Sequence, residues 1–243
     1  GQKFPLTETS AVSYASGQQS FYGVWDWNMS GWNALNSTQF ASLSAAGTLG
    51  PSNLQQQVVT SVSCGTSCTM PSIATPYLVC YQGSSTCSAA TVTAGTSTTS
   101  SNNQYGWYIN FPGVNSGYGT TTYEQEIYNP ILVSTAIQFN SILPAIDSPL
   151  ICSPSEDQGW SYALSVQNGT PVTGFFVNNG NTHTIGLQTN ASGSSSEVTT
   201  TTGSGGTNYY LIYQSTTGGA GTPTQIQPAN NITGNRETWI QLR

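Results

Sequence analysis

The chain has 243 residues, of which only 5% are charged, and its formal net charge is -6. Because an ordinary soluble protein has about 25% charged residues, this one relies on Ser, Thr, Asn, Gln and Gly for its solubility. Three basic residues cannot neutralise a row of phosphates, which argues against nucleic-acid binding and against attraction to an anionic membrane. No apolar run approaches the ~20 residues of a membrane span. Since the sequence starts at Gly1, we expect a processed or truncated piece of a longer protein.

Short runs of Val, Ile, Thr, Tyr, Phe and Trp, bounded by Gly, Asn, Ser and Pro, predict β-strands along most of the chain. Helix signals are few: 37–43 offers one or two turns, and 53–59 is ambiguous between a helix and an edge strand. Polar loops are predicted at 83–104, 190–206 and 218–228 because these stretches have no apolar period. The predicted strands are 21–25, 105–111, 131–143, 160–166, 172–177, 182–188, 208–214 and 238–242.

A hairpin at 161–176 is the clearest local prediction. Residues 161–166 alternate polar and apolar side chains, as a half-buried strand does. Asn168-Gly169 follows, a dipeptide strongly favoured in two-residue hairpin turns. Residues 171–176 then form the predicted return strand.

Four of the five cysteines lie in one polar stretch, a crowding typical of disulfide-stapled loops in an oxidising compartment. They are Cys64, Cys68, Cys80 and Cys87. We predict a disulfide-bearing, Ser/Thr-rich insertion at about 60–104. The spacings C-x3-C and C-x6-C, far from the single histidine, disfavour zinc. The sequence leaves open both the connectivity and the partner of Cys152.

Catalytic signatures are absent from the sequence, which has no nucleophile elbow, phosphate loop or H-E-x-x-H motif. Glu124 and Glu126 would share one face of a strand, as a glycosidase pair requires, but we favour solvated loop acids. The same preference applies to Glu156-Asp157, which belongs to no regular calcium loop. His183 is expected on an exposed strand rather than as a general base. We therefore predict a non-enzymatic protein without metal or cofactor.

Aromatic residues cluster near the start of the chain. Trp25 is expected to pack between sheets. Trp27 and Trp32, surrounded by Asn, Ser and Gly, are evenly balanced between packing inside and stacking on sugar rings or partner surfaces. These two are the candidate surface-binding aromatics.

Five segments stand in an order that is itself informative. They are 19–26 (QSFYGVWD), 106–111 (GWYINF), Glu126 with Asn129-Pro130 and 139–144 (FNSILP), Cys152 with 159–164 (GWSYAL), and 236–242 (RETWIQL). In this order they resemble the strand motifs of PilC/PilY-type proteins, the adhesins at the tips of type IV pili. The five segments that resemble these motifs span nearly the whole chain.

The resemblance implies a β-propeller of four-stranded blades, of which this chain is the carboxy-terminal portion over 1–243. A partial propeller with long polar loop insertions needs the rest of its polypeptide to close the ring. The implied function is an extracellular, pilus-tip adhesin and assembly factor in surface attachment and twitching motility. The implied partners are minor pilins and the missing amino-terminal portion, with the receptor unknown. The family's Asp-rich calcium loop has no match here, so no calcium is expected.

Two other functions remain as alternatives. A structural subunit of an extracellular filament would use the low charge and many aromatics for close chain packing. A secreted propeller enzyme, such as a glycosidase or quinoprotein, is the third, because a fold does not fix a function.

The charge count also predicts how stability depends on pH. With few titratable groups, the folded and unfolded chains should bind similar numbers of protons, so stability should vary weakly. Together with a sequence pI near 4.2, this suggests work in an acidic or variable medium outside the cell.

Overall fold

The computed structural model describes residues 17–25, 49–63, 69–81, 104–115, 121–143, 158–177, 183–188, 196–203, 206–213 and 223–228. Regular structure in these ranges is β-strand, apart from one 3-10 turn at Pro51–Asn53. The strands are β1 Ser20–Val24, β2 Gln55–Gln57, β3 Thr60–Ser63, β4 Thr69–Ser72, β5 Gly106–Asn110, β6 Gly113–Asn115, β7 Thr121–Tyr123, β8 Gln125–Glu126, β9 Ile131–Val133, β10 Ala136–Ile142, β11 Trp160–Ser165, β12 Gly186–Gln188, β13 Ser196–Gly203, β14 Gly206–Tyr213 and β15 Thr224–Ile226. The predicted all-β class is confirmed. Within the described ranges no sheet closes on itself.

The first sheet has the strand order β1-β5-β2, with β1 antiparallel and β2 parallel to β5. Successive side chains of a strand point to opposite faces. Phe21, Trp107 and Ile109 accordingly face the interior, whereas Tyr22 and Tyr108 face outward. The ambiguous segment 53–59 is thus resolved as an edge strand after a short turn.

The central sheet has the order β12-β11-β10-β8, and β9 also pairs with β10. From β9 to β12 each strand pairs antiparallel with the next one in the sequence. The predicted single strand 131–143 is therefore two strands joined by a tight turn. Ser134 takes a positive φ of 56° in that turn, a conformation that two-residue hairpins require.

Polar side chains lie inside the central sheet as well as apolar ones. Gln138, Asn140 and Ser161 are all buried. Gln138 Nε2 donates a hydrogen bond to Asn140 Oδ1 at 2.9 Å, and Ser161 Oγ donates to the same oxygen. These hydrogen bonds help to keep polar side chains inside the sheet, so the strands are buried on both faces without an apolar sequence pattern.

The third sheet has the order β13-β14-β15. Its register runs from Ser196 opposite Tyr213 to Gly203 opposite Gly206. The predicted loops at 190–206 and 218–228 are thus wrong for β13 and β15. Thr is β-branched and favours strands, but a Thr-rich strand whose one apolar residue is Val198 gives no periodic signal. Two further hairpins, β3–β4 and β6–β7, complete the described strands.

The turn at Asn168-Gly169 forms, but the predicted return strand does not. Ser165 N donates to Thr170 O at 2.8 Å across the turn. Beyond it, Pro171 makes a single antiparallel bridge to Leu164. Since proline has no N–H to donate to a ladder, the chain leaves the central sheet at this point.

A cluster of rings from four strands, the aromatic core, lies between the first and central sheets. Phe21 stacks on Phe139 with centroids 4.1 Å apart, and Phe139 stacks on Tyr162 at 5.1 Å. Phe111 meets both Phe139 and Tyr162 edge-on, at 6.0 and 5.7 Å. The aromatic core also contains Ile73, Val79, Trp107, Ile109, Leu143, Trp160, Leu164 and Ile185.

Trp107 fits into this core because two glycines leave room for its ring. A Cβ on Gly23 or on Gly169 would lie 2.3 Å from an atom of the indole. Its Nε1 donates to Val166 O at 2.9 Å, so the polar atom of the indole is also satisfied. A glycine at 169 is therefore required twice: the turn needs its φ of +67°, and the Trp107 ring needs the space that a Cβ would fill.

A second apolar cluster lies on the other face of the central sheet and joins it to the third sheet. Its buried members are Val133, Ala136, Ala163, Phe175, Phe176, Leu211 and Ile226. The far end of the β13–β14 hairpin, around Thr201 and Asn208, extends beyond this cluster and is exposed.

Candidate functional site

Most of the predicted site residues lie outside the described part of the chain. Trp27 and Trp32 are among them, and so is Glu156-Asp157. Their predicted roles stay predictions. His183, which is described, is exposed.

Of the predicted disulfide candidates only Cys80 is described; Cys64, Cys68 and Cys87, like Cys152, lie outside the described residues. Cys80 is buried and disulfide-bonded. Its partner is not among the described residues, so the connectivity stays a prediction.

The segment that carries Cys80, residues 77–81, is held to the sheets mainly by side-chain amides. Three amide side chains from distant parts of the chain take up its backbone groups. The bonds are Gln57 Nε2 to Tyr77 O (2.7 Å), Tyr77 N to Gln57 Oε1 (3.0 Å), Val79 N to Asn168 Oδ1 (3.1 Å) and Cys80 N to Gln104 Oε1 (2.7 Å). Val79 inserts into the aromatic core. Part of the predicted insertion 60–104 therefore contributes to the main core.

The outward face of β1 and β5 carries a stacked pair of tyrosines. Tyr22 is 50% exposed and lies directly opposite Tyr108, with ring centroids 5.7 Å apart. Tyr108 is partly buried, because it packs against Leu54 and Tyr105. Val24, on the same face, is 52% exposed. Partial burial, and then the nearby Tyr22, raise the pKa of the Tyr108 phenol. An exposed tyrosine offers both an apolar ring and a polar tip to a partner.

Sequence analysis placed its surface-binding aromatics at Trp27 and Trp32 and missed this tyrosine pair. The sequence did contain a signal, because side chains of a strand alternate between its two faces. Tyr22 must therefore point away from the face that Phe21 occupies. The missing information was the register, since only pairing with β5 brings Tyr108 beside Tyr22.

A carboxyl group is buried at the junction of β8 with the central sheet. Glu124 is 2% exposed, and its Oε2 accepts hydrogen bonds from two hydroxyls. Ser141 Oγ and Tyr162 OH each donate to it at 2.7 Å. The cross-strand partner of Ser141 is Glu126, so both carboxyl groups lie beside this serine. We name Glu124, Ser141, Tyr162 and Glu126 the carboxyl cluster.

Burial is the largest influence on the pKa values of the carboxyl cluster. It raises the pKa of Glu124 from 4.5 to about 7, although the hydrogen bonds from Tyr162 and Ser141 act in the opposite direction. Burial likewise raises the pKa of the half-buried Glu126 to about 6. The pKa of Tyr162 is raised well above 10, by burial and then by Glu124. The predicted solvated loop acid is thus wrong for Glu124, because three strands enclose it.

The carboxyl cluster does not have the form of a catalytic site. A carboxyl that is 2% exposed, with one oxygen engaged by two hydroxyls, has no access to a substrate in this conformation. Glu126 Oε1 is buried and accepts no hydrogen bond from the described residues. In the described part of the chain, no three His, Cys, Asp or Glu side chains group as a metal site would require. No described helix is long and apolar enough to cross a membrane.

Comparisons with known proteins return no matching family model, no similar curated protein and no similar solved structure. The likeness to PilC/PilY-type proteins therefore rests on the five sequence segments alone. Four of these segments have described strands, which are β1, β5, β10 and β11. The fifth segment, 236–242, lies outside the described residues.

Proposed function

We propose that this chain is part of an extracellular, non-enzymatic adhesin and assembly factor at the tip of a type IV pilus. Its partners in this proposal are minor pilins and the amino-terminal portion of the same polypeptide. The observation that carries the proposal is the convergence of the resemblant segments on one aromatic core.

That convergence links residues far apart in the sequence. Phe21 comes from the first segment, Phe111 from the second, Phe139 from the third and Tyr162 from the fourth, and their rings are in mutual contact. Chance likeness in four separate strands would have no reason to select residues that pack together. A shared fold would select residues that pack together, because each ring helps the others to exclude water from the core.

The propeller part of the proposal is supported by the topology of the central sheet. Strands β9, β10, β11 and β12 form a four-stranded antiparallel meander in sequence order, which is the plan of a propeller blade. In this proposal the remaining blades come from other parts of the polypeptide. A ring of blades has only short, protected edges, which suits a protein that is secreted and stays soluble.

Adhesion is assigned to exposed side chains carried on this rigid scaffold. The Tyr22–Tyr108 pair and the exposed Val24 form a surface of mixed polarity on one sheet. Aromatic residues of this kind are enriched where proteins bind partners. The predicted contribution of Trp27 and Trp32 would lie immediately downstream of β1.

Immunogold electron microscopy on pili from the source cells tests the proposal. Antibodies against this chain should label filament tips, and the full polypeptide should co-purify with minor pilins. Labelling along the whole filament would instead support the structural-subunit alternative. Absence of label from filaments, with a control antibody against the major pilin positive, would remove the pilus assignment.

A further inference from the structure

Glu124 immediately precedes β8 and immediately follows the β6–β7 hairpin. Its backbone N donates to Pro112 O at 3.5 Å, and its side chain reaches the hydroxyls of Ser141 on β10 and Tyr162 on β11. Residue 124 thus links two parts of the molecule, because its backbone bonds to Pro112 just before the hairpin and its carboxyl bonds to β10 and β11. A change in the state of the carboxyl therefore acts where the hairpin meets these strands.

We propose that Glu124 is a proton-operated latch, which docks the β6–β7 hairpin and the start of β8 against β10 and β11 when protonated and weakens that docking when ionised. The inference goes beyond the proposed function and does not depend on it. It assigns to this buried carboxyl a role in sensing the pH of the medium.

The geometry favours the neutral carboxyl. An ionised carboxylate in an enclosed site is stable only with a cation or with enough hydrogen-bond donors. Here the side chain is 2% exposed and no described cation acts on it, so the cost of burial outweighs the two hydroxyl donors, which by themselves favour the ionised form. The chain's Lys and Arg residues are Lys3, Arg236 and Arg243, which all lie outside the described residues.

The titratable neighbours moderate this preference and do not create it. Tyr162, from β11, donates a hydrogen bond that lowers the pKa of Glu124, and it stays neutral because burial and then Glu124 raise its own pKa. Glu126, from β8, is a second carboxyl beside Ser141, and burial raises its pKa to about 6. Ser141, from β10, donates a hydrogen bond but does not titrate.

The sign of the effect follows from the raised pKa. The folded chain keeps the Glu124 proton up to about pH 7, whereas the unfolded chain loses it near 4.5. Between these values the folded state binds more protons, so stability falls as pH rises through this window and is level on either side. The contribution of Glu124 is therefore complete below about pH 4.5 and lost above about pH 7. This pH dependence has the opposite sign to ordinary acid denaturation, in which stability falls as carboxylates become protonated.

Denaturant unfolding of the chain at a series of pH values from 4.5 to 8 tests the latch. We expect the unfolding equilibrium constant to increase on the order of 100-fold across this range. Glu124→Gln should remove most of that increase, since the amide cannot ionise. The matched control, Glu126→Gln, should retain the part of the increase above pH 6. The latch is overturned if the free energy of unfolding of the wild-type chain stays level or rises with pH. It is also overturned if this free energy changes with pH in Glu124→Gln as steeply as in the wild-type chain.

Tyr162→Phe separates a latch from a merely structural contact. The Tyr162 hydrogen bond lowers the pKa of Glu124, so its removal should move the midpoint of the pH dependence to higher pH. A purely structural role would lower stability equally at every pH.

Hydrogen exchange of the wild-type chain gives a measurement that needs no variant. Corrected for intrinsic rates, protection of the amides in 121–126 should fall more steeply between pH 6 and 8 than that of the β11 amides, which follow global stability. If both segments keep the same protection across this range, the latch is refuted.

Discussion

Two antiparallel strand pairs in this protein differ sharply in what surrounds them. β10 and β11 are buried on both faces, whereas the far half of the β13–β14 hairpin is exposed on both. The backbone ladders are alike, since each pair is regular over at least five residues. What differs is the layer above and below, which for β10–β11 consists of the aromatic core and the second apolar cluster.

The difference shows that composition does not decide which strand is interior. β10 carries Gln138, Asn140 and Ser141 in buried positions, and β13 carries Val198 only half-buried. Polar groups enter the interior when they have hydrogen-bond partners there. The far end of the β13–β14 hairpin is exposed within the described part of the chain, although its pairing is complete.

Removing a ring from the aromatic core should give the largest effect. Phe139→Ala is expected to lower the free energy of unfolding by about 3–5 kcal/mol, because it leaves a cavity where two stacked rings were in contact. The control is Tyr210→Ala on the partly exposed β14, with an expected loss of about 1 kcal/mol. Urea unfolding of both variants at one pH measures the contrast. Equal losses would mean that the aromatic core does not dominate stability.

A glycine pair tests how tightly Trp107 is packed. Gly169 and Gly174 both have positive φ, but a Cβ at Gly169 would lie 2.3 Å from the Trp107 ring, and one at Gly174 would meet nothing within 4 Å. Gly169→Ala should therefore cost about 2–4 kcal/mol, from backbone strain and overpacking together. Gly174→Ala should cost about 1 kcal/mol from backbone strain alone. Thermal unfolding of the two variants should differ accordingly; matching melting temperatures would show that the core yields easily to the added methyl group.

Substitution at the end of the hairpin should give the smallest effect. Thr201→Ala is expected to change the free energy of unfolding by about 0.5 kcal/mol or less, since the side chain is exposed and only strand propensity is lost. Circular dichroism melts at matched concentration would measure it. A loss above about 2 kcal/mol would contradict the comparison, because it would mean that the hairpin end is packed against something.

Sequence patterns predicted the strands that carry large aromatic residues. β1, β5 and β11 were predicted within one residue at each end, because runs of strand-favouring residues are bounded by turn residues. The alternation at 161–166 wrongly predicted a half-buried strand, since β11 is buried on both faces. β13 was missed because four successive threonines carry no alternation. The spacing of Glu124 and Glu126 suggested one shared face of a strand, but it gave no indication that Glu124, which precedes β8, is buried.

The pH dependence shows the same limit. A count of charges predicted weak dependence, and the number of titratable groups is indeed small. One enclosed carboxyl, whose pKa burial raises to about 7, leads us to expect a stronger dependence between pH 4.5 and 7, because the free energy of a charge depends on its surroundings rather than on its abundance.

By itself the sequence determined the all-β class, the low charge and the aromatic residues available for a core, since these follow from composition and from alternation within single strands. Only the tertiary structure decided that Phe21, Phe139 and Tyr162 stack, that Glu124 is enclosed and that Tyr22 meets Tyr108. Each of these depends on the register between strands far apart in the chain. Local pattern specifies which side of a strand a residue occupies, but not which residue stands opposite it.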